Sequence, residues 1–160
     1  SRAGIMRAAR DLGDYEAVAA AADALLSSST LGSEDKNEAV FSKALALSQT
    51  GNAADARELW SSIAGMTDDL YGAKSALFLA QSYFDDSMPD KARTAVEALT
   101  TSGTPHSYWL ARGFILLSDI YAAQGKKFEA REYLNALREN YPGSESDIFM
   151  MIDSRLSSLE

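Results

Sequence analysis

Apolar residues recur along this chain at helical spacing, and short polar breaks cut the pattern into segments. Ile5, Met6, Ala9 and Leu12 mark a first segment, and Gly13-Asp14 leads into an alanine-rich one from Tyr15 to about Leu26. The polar stretch Ser27 to Gly32 reads as a loop too short to separate domains. Val40, Ala44, Leu45 and Leu47 stripe the next segment. After Gly51-Asn52 come Ala56, Leu59, Trp60 and Ile63. Ala73, Ala76, Leu77, Ala80, Tyr83 and Phe84 follow, then Ala92, Ala95, Val96 and Leu99 beyond the break Ser87-Met88-Pro89-Asp90. Tyr108 to Pro142 holds two more stripes about Gln124-Gly125-Lys126, and Ile148, Phe149, Ile152, Leu156 and Leu159 mark a last helix.

The local signals for helix starts are acidic or hydroxyl residues ahead of each stripe. Ser33 is expected to cap its helix with Glu34 and Asp35 in the first turn, where the helix dipole favours acids. Thr67-Asp68-Asp69 reads the same way, Ser87 as a cap before a helix opened by Pro89, and Thr104-Pro105 as the start of the next pair. Ser144 to Asp147 has the form of a capping sequence.

Two markers keep one register through the chain. A turn residue falls at Gly13, Gly51, Ser87 and Gly125, and a small core residue at Val18, Ala56, Ala92 and Ala130. Both sets step by 38, 36 and 38 residues. Around the last break, Phe114-x2-Leu117-Ser118-x2-Tyr121, then Ala130-x3-Leu134, then Pro142, resembles the tetratricopeptide repeat (TPR) signature. The likeness is strong in the third and fourth units, moderate in the second, where Val40, Lys43 and Leu47 stand in place of the motif's aromatic, leucine and tyrosine, and weak in the first.

The resemblance implies an all-α, right-handed α–α superhelix of four helix pairs, at about 2–28, 34–65, 68–101 and 105–141, closed by a capping helix at 145–159 in one repeat domain of 1–160. It further implies a concave groove lined by the first helix of each pair. Carried across by register, its partner-binding positions are Arg7 and Arg10, then Glu38, Phe41, Leu45 and Ser48, then Lys74, Leu77, Gln81 and Phe84, and finally Arg112, Ile115 and Asp119. The apolar members suit an apolar helix or extended peptide and the cations suit acids along its edges. The TPR subtype that clamps a chaperone's terminal carboxylate has asparagine where this chain has Leu45, Gln81 or Asp119, so that ligand is not supported.

Composition removes most alternatives. The 160 residues are 46% hydrophobic and carry a net charge of −8 from 23 acids and 15 bases. The densest basic cluster is Lys126-Lys127 with Arg131, too little for a phosphate-backbone surface, so no nucleic acid is expected as partner. No apolar run is long enough for membrane insertion. The absence of cysteine excludes disulfides, thiolate chemistry and cysteine-bound zinc. His106, the one histidine, reads as an exposed first-turn residue with no orienting partner. Adjacent acids in Asp68-Asp69 and Asp85-Asp86 point about 100° apart on a helix and do not converge on one atom. Neither catalytic residues nor a cofactor or metal are assigned. Tyr83, Tyr121, Trp60, Phe114, Tyr133 and Trp109 fall on apolar faces and read as packing residues.

The expected function is therefore a non-enzymatic scaffold that holds a peptide, helix or partner subunit. Two alternatives stand beside it: a structural or oligomerisation segment that self-associates, and an accessory domain positioning substrate for a catalytic region elsewhere. The style of the turns resembles large bacterial multi-repeat TPR proteins of the cell envelope, which places the chain as a C-terminal part and favours the periplasm over the cytoplasm. Repeat arrays fray at uncapped ends, so hydrogen exchange of residues 2–28 is expected to run faster than that of 108–142. Equal protection of the two stretches would overturn this.

Overall fold

The structure, a computed structural model, describes residues 1–160 and consists of nine α-helices without a strand. They are α1 (Arg2–Leu12), α2 (Tyr15–Leu26), α3 (Ser33–Gln49), α4 (Ala53–Ile63), α5 (Leu70–Asp85), α6 (Pro89–Thr100), α7 (Ser107–Ala123), α8 (Lys127–Asn140) and α9 (Ser146–Ser158). Packing divides the chain into two compact units, Ser1–Ser75 and Ala76–Glu160, with the division inside α5. No helix is long and apolar enough to cross a membrane.

One turn recurs four times. Gly13, Gly51, Ser87 and Gly125 all take left-handed φ values of 71°, 87°, 60° and 79°. In each case the next amide reaches back over the helix end: Asp14 to the Ala9 carbonyl, Asn52 to Leu47, Met88 to Tyr83 and Lys126 to Tyr121, at 2.8–2.9 Å. That bond and the left-handed residue together make the Schellman ending, which satisfies an otherwise orphaned carbonyl and reverses the chain. The following helix then starts within one or two residues.

Reversal brings a fixed position of the second helix into the interior. Val18, Ala56, Ala92 and Ala130 have no exposed surface. One turn further along, Ala22, Trp60, Val96 and Leu134 are equally enclosed and keep the same spacing. In the first unit Met6, Ala9, Val18, Ala22, Leu25, Ala39 and Ala46 form one continuous core across α1, α2 and α3. Lys43 of α3 joins Asp23 of α2 at 2.7 Å on its border. At the start of α5, a Cβ on Gly72 would come within 1.8 Å of the Met66 carbonyl oxygen, so that close approach of backbone to helix requires glycine.

In the second unit the rings of Phe114, Tyr133 and Tyr121 stack in sequence at 6.0 and 5.5 Å. The Ser118 hydroxyl donates to the Ala130 carbonyl at 3.2 Å, tying α7 to α8. The last helix packs on both α7 and α8, burying Ile148, Ile152 and Leu159. Its Phe149 meets Tyr141 edge-on at 5.9 Å, and Arg131 of α8 donates to the Leu159 carbonyl. Asp153, Ser154, Ser157 and Ser158 face solvent.

Caps differ from expectation at α7, where His106 stands in place of Thr104, at α9, where Glu145 stands in place of Ser144, and at three further helices. Ser33 is the first residue of α3, whose cap is Gly32 with no side-chain bond. At α5 the capping carboxylate belongs to Asp69, which accepts from the amides of Tyr71 and Gly72 at 2.9 and 3.1 Å, in place of Thr67. Ser87 does not cap α6; Met88 stands there, and Ser87 is the turn residue itself. Hydroxyls and carboxylates near a helix start signal the start well, but which of them caps depends on where the preceding turn lets the chain in.

Ser87 is the only residue other than glycine with positive φ. A Cβ in the left-handed region costs roughly 1–2 kcal/mol. Ser87→Gly is therefore expected to raise the unfolding midpoint by about 2–5 °C, while Ser87→Ala leaves it nearly unchanged. A midpoint lowered by the glycine in a thermal melt followed by circular dichroism would show that this turn carries no strain.

Candidate functional site

The residues expected to face a partner form two groups, one in each unit. In the first, α1 and α3 lie against each other, which sets Arg7 and Arg10 over Glu38. Arg7 donates through Nε and Nη2 to the two oxygens of Glu38, both at 2.7 Å. Arg10 donates through Nη2 to Glu38 at 3.3 Å and through Nη1 to Ser42 Oγ at 2.7 Å. Its guanidinium also stands 5.7 Å from the Tyr71 ring centre. The Lys74 ammonium lies 4.7 Å from the Phe41 ring centre and 5.1 Å from that of Tyr71, and those two rings are 5.6 Å apart.

The cluster holds three cations around one enclosed carboxylate, since Glu38 is only 4% exposed. Hydrogen bonds from Arg7 hold the Glu38 carboxyl below the usual range, against the opposing effect of burial, with the charges of Arg7 and Arg10 adding to them. The same pairing keeps Arg7 firmly protonated. Burial, followed by repulsion from Arg10, pulls the Lys74 ammonium below the ordinary lysine value.

Phe41 is 1% exposed and lies inside the protein, so it offers no open surface. Leu77 and Ile115 are enclosed in the same way in the second unit. Leu45, Ser48, Phe84 and Arg112 are half-buried and Gln81 is exposed, with its amide donating to Asp85 at 2.8 Å. That bond gives Asp85, at the unfavourable end of the α5 dipole, a local donor. Asp119 accepts a two-pronged bond from Arg155 of α9 at 2.8 and 3.0 Å. Arg112 donates to the Tyr108 hydroxyl, which donates in turn to Asp147 of α9 at 2.6 Å. Burial and then Asp147 push the Tyr108 phenol up.

Both groups share one arrangement: charged residues of one first helix are joined to the next helix packed beside it. Register placed these side chains on one face but did not reveal that they pair with each other. Ser42, Tyr71, Tyr108, Asp147 and Arg155 complete the clusters and were absent from the expected set. One signal was present, because Arg7 and Arg10 near the end of one unit's face and Glu38 at the start of the next have opposite charges. His106 is the half-buried N-cap of α7 in place of an exposed first-turn residue.

This geometry, helix pairs joined by one repeated turn and aligned by charge bonds between first helices, defines a helical-repeat protein. Tetratricopeptide-repeat family models match residues 5–68 and, separately, 114–144. Together these stretches take in more than half of the sequence, and the chain belongs to the tetratricopeptide repeat family. Such repeats generally mediate protein–protein interaction and are typically non-catalytic. The crystal structure of MamA protein has the same fold, with a TM-score of 0.65 at 19% identity over 94% of this chain and 76% of that one. No curated protein matches the sequence.

Glu38 supplies a pH dependence with a definite sign. Its folded pKa lies below the unfolded value near 4.3, so its contribution is complete above that value and is lost as pH falls through the lower, folded one. Glu38→Gln is expected to lower stability at pH 7 by roughly 1–3 kcal/mol and to flatten the acid side of the stability curve. Urea titrations at pH 7 and pH 3 check this; an equal loss at both would show that the carboxylate's charge contributes nothing.

Proposed function

We propose that this chain is a non-enzymatic interaction module that holds a peptide, helix or partner subunit on the faces of its first helices. The observation supporting this reading is the mixed, half-open surface around Glu38. There Lys74 and Arg10 stand beside half-buried Tyr71, and Leu45 and Ser48 continue the same face of α3. A surface of this kind offers a partner both apolar area and cationic groups for its acids. In the second unit Gln81, Phe84 and Arg112 play the corresponding part. Because Phe41, Leu77 and Ile115 are enclosed, they support the surface from beneath and do not make contact themselves.

The test uses the intact chain as bait in lysate of its source cell. It is compared with Leu45→Glu/Lys74→Glu in the first unit and Phe84→Glu/Arg112→Glu in the second, each with helicity shown to be unchanged. A partner captured by the parent and lost by either variant supports the reading and assigns the unit. A partner held equally by all three overturns the assignment to these faces. Capture of none favours a structural or self-associating role.

A further inference from the structure

The side of α7 turned away from Arg112, Ile115 and Asp119 borders a cavity of about 410 Å3. Leu110 and Phe114 of α7 and Tyr133 and Leu137 of α8 wall it, with Ala136 and Asn140 at its mouth. Its size is at the lower end of the roughly 300–1,000 Å3 typical of ligand sites. No charged side chain lines it. The Asn140 amide already donates to the Ala136 carbonyl at 2.7 Å, and the nearby Tyr141 hydroxyl is bonded to Glu145 at 2.9 Å. The remaining polar groups on its wall are the hydroxyls of Ser107 and Tyr133, and the interior between Leu110, Phe114 and Leu137 suits apolar side chains.

The lip of the cavity adds a second, independent feature. Glu129 precedes Tyr133 by four residues, and Glu132 and Glu139 flank Ala136 at four before and three after, so all three acids stand on or beside the α8 face that borders the cavity. All three are exposed and none enters an ion pair. The arginines of α8 are turned elsewhere: Arg138 to Asp153 on α9 and Arg131 to the carbonyl of Leu159 just beyond its end. An apolar slot beside a row of three uncompensated carboxylates selects by charge as well as by shape.

We infer that this cavity receives a basic amphipathic helix of a partner protein, with its apolar side chains between α7 and α8 and its lysines or arginines against Glu129, Glu132 and Glu139. The inference rests on the reading of the chain as an interaction module but concerns a different surface. Its failure leaves the lysate comparison above unaffected.

The probe is a short fluorescein-labelled peptide of leucine and lysine, with leucines at i, i+3, i+4 and i+7, and a counterpart with glutamate for lysine. Fluorescence anisotropy against the whole chain is expected to show binding of the first peptide and none of the second. Ala136→Trp, at an exposed position, fills the mouth and is expected to weaken binding at least about tenfold. Glu129→Gln/Glu132→Gln/Glu139→Gln is expected to weaken it several-fold at low salt and to remove most of the salt dependence. Binding that survives Ala136→Trp overturns the site. Binding lost in Ala136→Trp but unchanged in the triple variant, or equal for the glutamate peptide, overturns the basic partner. A parent chain that dimerises by sedimentation, and becomes monomeric with Ala136→Trp, gives the cavity to a second copy and equally overturns it.

Discussion

The reversal of the chain at the end of each first helix is the constraint on which the rest depends. A left-handed residue followed by an amide that folds back over the helix end turns the chain within two residues, and this fixes how the second helix enters. Once that entry is fixed, the residues five and nine positions after the turn must face inward. They do so in all four pairs, from Val18 and Ala22 to Ala130 and Leu134. The spacing of enclosed residues is thus set by backbone geometry before side-chain packing contributes. The one turn without glycine keeps the same shape, which shows how strongly the surrounding helices hold it.

Charge bonds provide lateral order on the first helices. Enclosing Glu38 would be unfavourable without partners. Two guanidiniums from α1 around it, that of Arg10 also donating to the Ser42 hydroxyl, make the arrangement specific to one placement of α1 on α3. Asp119 with Arg155, and Tyr108 with Asp147, serve α7 and α9 in the second unit. The polar face proposed as the binding surface therefore also aligns the helices. On that proposal a partner would meet side chains already oriented by their neighbours, so less conformational freedom would be lost on binding.

The parts of the fold that follow from local rules could be read directly. Glycine at three of four turn positions, and a small residue five positions later, reflect φ and volume limits that act within a few residues. The identity of the caps was less legible, because Asp69 and Thr67 are both chemically capable and only the path of the chain decides between them. The face of the first helices was legible as a face and not as a set of contacts. Periodicity says that Glu38 and Phe41 share a side of α3, but not that α1 reaches one and Lys74 covers the other. The cavity beside Phe114 was not legible at all. Phe114 and Tyr133, read from the sequence as packing residues, also wall it, and the space left between Leu110 and Tyr133 depends on the distance between two helices, which no residue pattern encodes.

The two tryptophans are divided between the two units and sit in different media. Trp60 of α4 is 2% exposed among the residues enclosed by the second turn. Trp109 of α7 is half-buried, 5.0 Å from the Tyr108 ring and 6.3 Å from Phe78, with the Arg112 guanidinium at 5.6 Å. The first indole lies in an enclosed interior and the second in a more polar, half-buried setting. The native emission is accordingly expected to sum a bluer component from residues 1–75 and a redder one from 76–160. Each unit carries its own optical label, and the order in which the two colours fade under denaturant gives the order in which the units come apart.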